Sequence, residues 1–441
     1  MANTKIVLIG GGSYGWGPSV VGNILSNEYL DGSEVVLHDI DADALELVYR
    51  LALRYTEATG AATRFERTTV LAEALDGADY VVVTISTGAL EAMRADLEIP
   101  ETYGICQTVG DTVGPGGALR TLRNVPVFLH LGQAMERYCP QAWMLNCSNP
   151  LSTLTRVVNR ETGIRAIGLC HGVRGQVSFF ARFFDKQLED CAYVNTGIDH
   201  CAWLTELVID GRRVEDLLLE MGIDAWLALP PEQAERDEVF GALYPSRCGL
   251  GLWRLLGALP GIGDRHLVEF FPGFLHSEKN VNRYGLKRTS IDDRQHGRTR
   301  ARQRLEERLA QSELPNPEGS SDNVAGWIAA LAGGPPIEDN LNVANVGQIP
   351  ELPLGAVVET RGILDGTGYR PIASPMPAAL EAVVRPHVLR QEMLVSAALD
   401  GSFAAALAAL SSDPLLVHPD QAHPMLKEMV AATSQWLPQF C

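Results

Sequence analysis

The run Lys5–Ile9 (KIVLI), followed at once by Gly10, Gly11, Gly12, Ser13, Tyr14 and Gly15, constrains this chain more than any other segment. A short apolar run bounded by glycine reads as a buried strand. The Gly10-x-Gly12-x-x-Gly15 spacing permits a sharp turn and lets amides at the start of a following helix approach a pyrophosphate. A second strand is expected over 34–37, and Asp39 stands just past its end, where a carboxylate can accept hydrogen bonds from both adenosine-ribose hydroxyls and would repel a 2′-phosphate. Gly10, Gly12, Ser13, Gly15 and Asp39 are therefore the expected dinucleotide contacts, with NAD favoured over NADP. Asp39 and Asp41 also precede a helix, so an ordinary N-cap competes for both.

The rest of the first half keeps the same rhythm. Helical spacing runs over 41–59 and 119–138, and apolar strand-like runs fall at 80–85, 143–146 and 166–169. Alternating β and α elements predict a Rossmann-type doubly wound parallel sheet. After about residue 195 strand-like runs grow sparse, long helical patterns appear at 294–311 and 378–409, and Pro and Gly cluster at 333–336 and 350–355. The expected division is a dinucleotide-binding domain over 1–195 and a substrate- and metal-binding, oligomer-forming domain over 196–441, since 441 residues exceed one typical core.

A net charge of −18 provides no basic field for nucleic acid. No stretch approaches the roughly 20 apolar residues needed to span a bilayer. The short apolar run near Met1 is cut by glycine before it could serve as a secretory core. The eight cysteines lack the spacing of a disulfide framework or zinc finger, and a cytoplasmic location is expected.

The chemistry-bearing clusters fall at or after expected strand ends, where open α/β sheets bind ligands. They are Gly110-Asp111-Thr112 leading into Gly114-Pro115-Gly116-Gly117; Asn146 through Asn149-Pro150; Gly168-Leu169-Cys170-His171; and Gly197-Ile198-Asp199-His200. Thiolate and imidazole suit Mn, Fe, Co, Ni or Zn, so Cys170 and His200 are candidate ligands, although a buried cysteine and a core histidine are the plain alternatives.

In order and spacing these clusters resemble family four of the glycoside hydrolases. The resemblance continues through Gly263-Asp264-Arg265-His266 with Glu269, Phe270 and Pro272, and through 340–359. The family is an exception to the two-carboxylate glycosidase scheme. The resemblance implies that NAD takes hydride from C3 of the sugar, a base removes the C2 proton, the C1–O bond breaks by elimination, water adds, and hydride returns. It implies a second half of the lactate/malate dehydrogenase-like α+β kind and a divalent metal, usually Mn2+, on Cys170 and His200. Asn149 and Asp111 match substrate-binding positions, and His171 matches the acid to the departing oxygen. Asp264 matches the C2 base, with Tyr244 and Tyr284 in reserve.

The sequence around Cys170-His171 and Asp264-Arg265 looks more like the α-galacturonidase and α-glucuronidase members, and Arg265 is a candidate reader of a uronate carboxylate. The expected partner is thus a small carbohydrate, a uronide favoured, in a homodimer or homotetramer. An α-galactosidase or α-glucosidase of the same family is the near alternative. A lactate/malate-type dehydrogenase is the alternative of another class.

Overall fold

The structure, a computed structural model, describes residues 4–312, 314, 317 and 323–440; Cys441 lies outside them. The strands β1 (Lys5–Ile9), β2 (Glu34–His38), β3 (Arg64–Thr68), β4 (Tyr80–Val83), β5 (Trp143–Asn146) and β6 (Arg165–Gly168) run parallel. Their order, β3-β2-β1-β4-β5-β6, reverses the direction of winding between β1 and β4 and opens a crevice at the carboxyl ends there. Because side chains alternate along a strand, β1 serves two cores. Ile6 and Leu8 pack with Val48, Leu51 and Trp327, while Val7 and Ile9 pack with Leu119, Val125 and Val395. Helices cover both faces, which is why the strands read as continuous apolar runs.

The sequence reading overlooked β3, whose RFERT residues bury only Phe65 at the sheet edge. The expected strand over 80–85 ends its ladder at Val83. Thr84 N still donates to Ile9 O at 2.9 Å, but Ile85 N turns to the Ser148 hydroxyl at 2.8 Å. The helix expected from 119 starts at Gly114, with Pro115 in its first turn where a missing N–H costs nothing. The helical pattern over 378–409 is two helices, Ala378–Asp400 and Phe403–Ser411, because Gly401 at φ +63° closes the first with a left-handed cap.

The second half holds more strand than its sequence suggests. β7 (Cys191–Ile198) and β8 (Cys201–Ile209) form an antiparallel hairpin, joined on β8 by β9 (Arg212–Arg213) and β10 (Leu259–Pro260). β11 (Ile337–Ala344), β12 (Val357–Asp365) and β13 (Gly368–Pro371) then return to the first sheet, Asn342 pairing with Gly168 of β6, and extend it to nine strands. Residue 195 therefore lies inside β7, and the chain on either side of it shares one sheet. The helix Ala378–Asp400 likewise shares its core with the helix Gly114–Tyr138. Among the described residues, no helix is long and apolar enough to cross a membrane.

Candidate functional site

Two adjoining arrangements occupy the carboxyl ends of the parallel strands. The first is a cleft of about 690 Å³ lined by Gly10, Gly12, Ser13, Gly15, Asp39 and Arg294, among others. Gly10 adopts φ +91°, and a Cβ there would meet Thr84 O at 2.2 Å, so this turn requires glycine. Gly12 N donates to Asp39 Oδ2 at 2.9 Å and Asp41 N to Asp39 Oδ1 at 3.0 Å. Asp41, not Asp39, is the N-cap of the helix Ala42–Thr59, accepting from Ala44 N at 3.0 Å. That separates the two aspartates the sequence left in competition. Ser13 Oγ accepts from Trp16 N at 3.2 Å at the start of the helix Trp16–Leu25. Close packing of that helix falls on Gly17, where a Cβ would lie 2.9 Å from both Gly11 O and Val48 Cγ1; Gly15 faces open space.

The second arrangement gathers side chains from four places in the chain. Cys170 and His171 follow β6, with His171 as N-cap of the helix Gly172–Phe183. Asp199 and His200 form the β7–β8 turn. Gly197 has φ +145° with Cys201 O 2.3 Å from where its Cβ would be, and His200 itself sits at φ +63°. A histidine held in the left-handed region is strained, by roughly 1–3 kcal/mol, and such strain is found where a side chain must be aimed. Asp111 precedes the helix Gly114–Tyr138, and His266 belongs to the short helix Asp264–Leu267.

These groups meet. One donor atom from each of Cys170, Asp199 and His200 lies within 4.8 Å of the other two, and the same holds for Asp111, His200 and His266. Thr112 Oγ1 is 2.7 Å from His200 Nδ1 and donates to Asp111 Oδ1 at 2.8 Å, fixing ring and carboxylate together. Asn149, after β5 and before a cis bond to Pro150, donates from Nδ2 to Asp111 Oδ2 at 3.2 Å. Arg120 Nε donates to the Asn149 carbonyl at 3.0 Å. The structure thus brings Cys170, Asn149, Asp111 and His200 together. His171 is exposed at the rim, near enough to act electrostatically on Asp199 and His200.

The electrostatics follow from enclosure. Burial would raise Asp111, but His200, His266 and Arg120 together hold it well below the usual carboxylate range. Burial pushes both imidazoles toward their neutral forms, His266 to about 3. Burial also pushes the Cys170 thiol well up, with Asp199 and Glu359 adding to the effect. Loss of that proton calls for a compensating cation. A thiol, an imidazole and a carboxyl with unsatisfied oxygens fit a borderline divalent ion.

Other predicted residues stand differently. The Asp264 carboxylate is 5% exposed and accepts from Cys248 N at 2.7 Å and Gly249 N at 2.8 Å, the first turn of the helix Arg247–Leu256. Burial raises it to about 7, these amides partly opposing. Arg265 is exposed and donates to Thr289 Oγ1 at 2.6 Å. Tyr284 packs on Phe274, ring centroids 4.7 Å apart, and Tyr244 lies against Gly285. Three residues were not assigned roles from sequence: His266, Asp199 and Glu359. All three fall in segments that carry the family resemblance, 197–200, 263–266 and 340–359, which was the available signal.

Comparison with known proteins places these features in context. Residues 5–185 match the family described as Family 4 glycosyl hydrolase, and residues 195–416 match its C-terminal domain. An alpha-galacturonidase of Bacillus subtilis is 34% identical over 425 residues, 93% of each chain. An alpha-galactosidase of Rhizobium meliloti is 29% identical over 457 residues, 100% of this chain and 90% of its own. The crystal structure of a Bacillus subtilis protein described as a glucosidase superposes with a TM-score of 0.88 at 31% identity, covering 97% of this chain and 100% of that one. A malate dehydrogenase from Plasmodium falciparum shares the fold alone, at a TM-score of 0.50 and 12% identity over 90% of this chain and 99% of its own.

Proposed function

This chain belongs to the family 4 glycosyl hydrolases, and from that premise we propose that it hydrolyses α-linked hexuronides, as an α-galacturonidase, with NAD and a divalent metal of the Mn2+ kind. The observation that supports it most is the convergence of Cys170, Asp199 and His200 beside Asp111 and Asn149, next to a glycine-lined cleft that ends at Asp39. Cys170 and His200 would hold the ion; Gly10, Gly12, Ser13, Gly15 and Asp39 would hold the dinucleotide. Bound there, NAD would supply a reversible hydride acceptor and the ion would supply Lewis acidity.

The chain's own residues do the rest. Ionised Asp111 accepts from a sugar hydroxyl, and Asn149 fixes Asp111 while reaching the same face. Asp264, with a proton affinity near neutrality, takes the C2 proton, because a base is most effective when its pKa lies close to the working pH. His171, at the exposed rim, donates to the departing oxygen. The uronate carboxylate has two candidate guanidiniums, Arg265 and the half-buried Arg120, which already bears on Asp111.

An α-galactosidase is the second reading, favoured by one observation: Arg265 is exposed and bound to Thr289 rather than standing free for a substrate. Nitrophenyl α-galacturonide and α-galactoside, assayed with NAD and Mn2+, decide between them. Catalytic phenol release from the uronide without net NADH is the expected result. Accumulating NADH without phenol would sink the glycosidase reading in favour of a dehydrogenase. Assembly as a homodimer or homotetramer is part of the proposal and is read by light scattering on the purified protein.

A further inference from the structure

Asp199 has no task among the assignments above, yet its placement demands one. It is 0% exposed. Neither carboxylate oxygen accepts a hydrogen bond of ordinary geometry. The contact that comes nearest is with the Cys170 thiol, a weak donor. Buried polar groups left in this state are rare, because the water they give up is not replaced. Among the described residues no arginine or lysine pairs with it, and its ion-pair neighbour is His200, whose Nδ1 is 3.7 Å from Asp199 Oδ2.

The spacing identifies what would satisfy it. Donors bound to one ion at roughly 2.0–2.3 Å lie roughly 3–4.5 Å from one another for tetrahedral to octahedral angles. Cys170, Asp199 and His200 each offer one atom within 4.8 Å of the others, a spacing that one bound ion can close. The β7–β8 turn delivers both residues together, through the left-handed His200 and the crowded Gly197. We infer that the Asp199 carboxylate is a third protein ligand, beside Cys170 and His200, for the divalent cation of this site. The inference rests on the metal-dependent reading above. A thiolate, a carboxylate and a neutral imidazole balance the charge of a divalent ion and leave coordination positions for two sugar oxygens. Glu359, which also bears on Asp199 and Cys170, then stands behind the ligands and outside the set.

Binding is measured on the full-length, NAD-loaded protein without substrate, by the loss of the free Mn2+ signal in electron paramagnetic resonance. Wild type is expected to bind, and Cys170→Ala to lose binding. Asp199→Asn, nearly isosteric, is expected to weaken Mn2+ at least about tenfold, a loss no smaller than removal of an outer-shell partner causes. Glu359→Gln is expected to weaken it less. An Asp199→Asn affinity equal to wild type, or equal losses in Asp199→Asn and Glu359→Gln, overturns the inference while leaving Cys170 and His200 in place. Failure of wild type to bind Mn2+ overturns the metal reading itself. Should Asp199→Asn not fold, Asp199→Cys supplies a second arm: a thiolate in the ligand set shifts preference from Mn2+ toward Cd2+ by about tenfold or more. An unchanged Cd2+ to Mn2+ ratio, with NAD affinity intact, also overturns it.

Discussion

The imidazole of His266 lies on that of His200, ring centroids 3.9 Å apart and planes inclined by 36°, although one comes from a short helix and the other from a hairpin turn. His266 Nδ1 is buried without a hydrogen-bond partner and stands 3.9 Å from Asp111 Oδ1. A ring so placed holds the orientation of both neighbours. His266→Ala is expected to lower kcat/KM by roughly tenfold or more, the scale seen when a supporting group behind a metal ligand is removed, with the NAD dissociation constant unchanged. An unaltered kcat/KM would reduce the stack to packing.

Asp264 carries the proton prediction. Its carboxyl, raised to about 7, must be ionised to accept the C2 proton, so kcat/KM should rise with pH through a midpoint near 7. Hydrolysis in D2O should place deuterium at C2 of the released sugar. Asp264→Asn should stop that exchange while NAD and Mn2+ still bind. Deuterium incorporated at the wild-type rate by the variant passes the role to Tyr244 or Tyr284.

Selectivity should distinguish two arginines. Arg265 is engaged with Thr289, whereas Arg120 reaches the Asn149 carbonyl and bears on Asp111. Arg120→Gln is expected to cost about 1.5–3 kcal/mol more on a uronide than on a galactoside, the scale of one hydrogen bond to a charged group. Arg265→Ala should shift the ratio of the two kcat/KM values less. If instead Arg265→Ala collapses that ratio, its guanidinium leaves Thr289 for the substrate.

Glu269 makes stability depend on pH. Its Oε1 accepts from Val109 N at 2.7 Å, Gly110 N at 2.9 Å and Thr108 Oγ1 at 3.1 Å, pinning the loop ahead of Asp111. Burial nevertheless raises the carboxyl from 4.5 to about 7. A carboxyl whose folded pKa exceeds its unfolded value favours the folded state fully below the unfolded pKa, and that contribution is lost as pH rises through the folded one. Wild type should therefore lose about 3 kcal/mol relative to Glu269→Gln between pH 4 and pH 8, as an order-of-magnitude figure. Denaturant unfolding of both proteins across that interval measures it; parallel stability curves would refute it.

The sequence by itself determined the elements whose signal is local. The β1 run and its glycines, the helical periods and the motifs at strand ends are all short-range patterns. They pointed to the glycine-lined cleft and, separately, to Cys170, His200, Asn149 and Asp111 at strand ends. Tertiary structure decided what depends on pairing across the chain. Polar β3 is a strand because it lies against β2, and β11 because Asn342 meets Gly168 of β6. The same long-range contacts settled partners within the site: Asp39 went to Gly12 N, Arg265 to Thr289, and His266 was laid on His200. A residue's type and spacing reveal what chemistry it can offer; which groups share its buried space, and so whether that chemistry is available, is set by strands and loops distant in sequence.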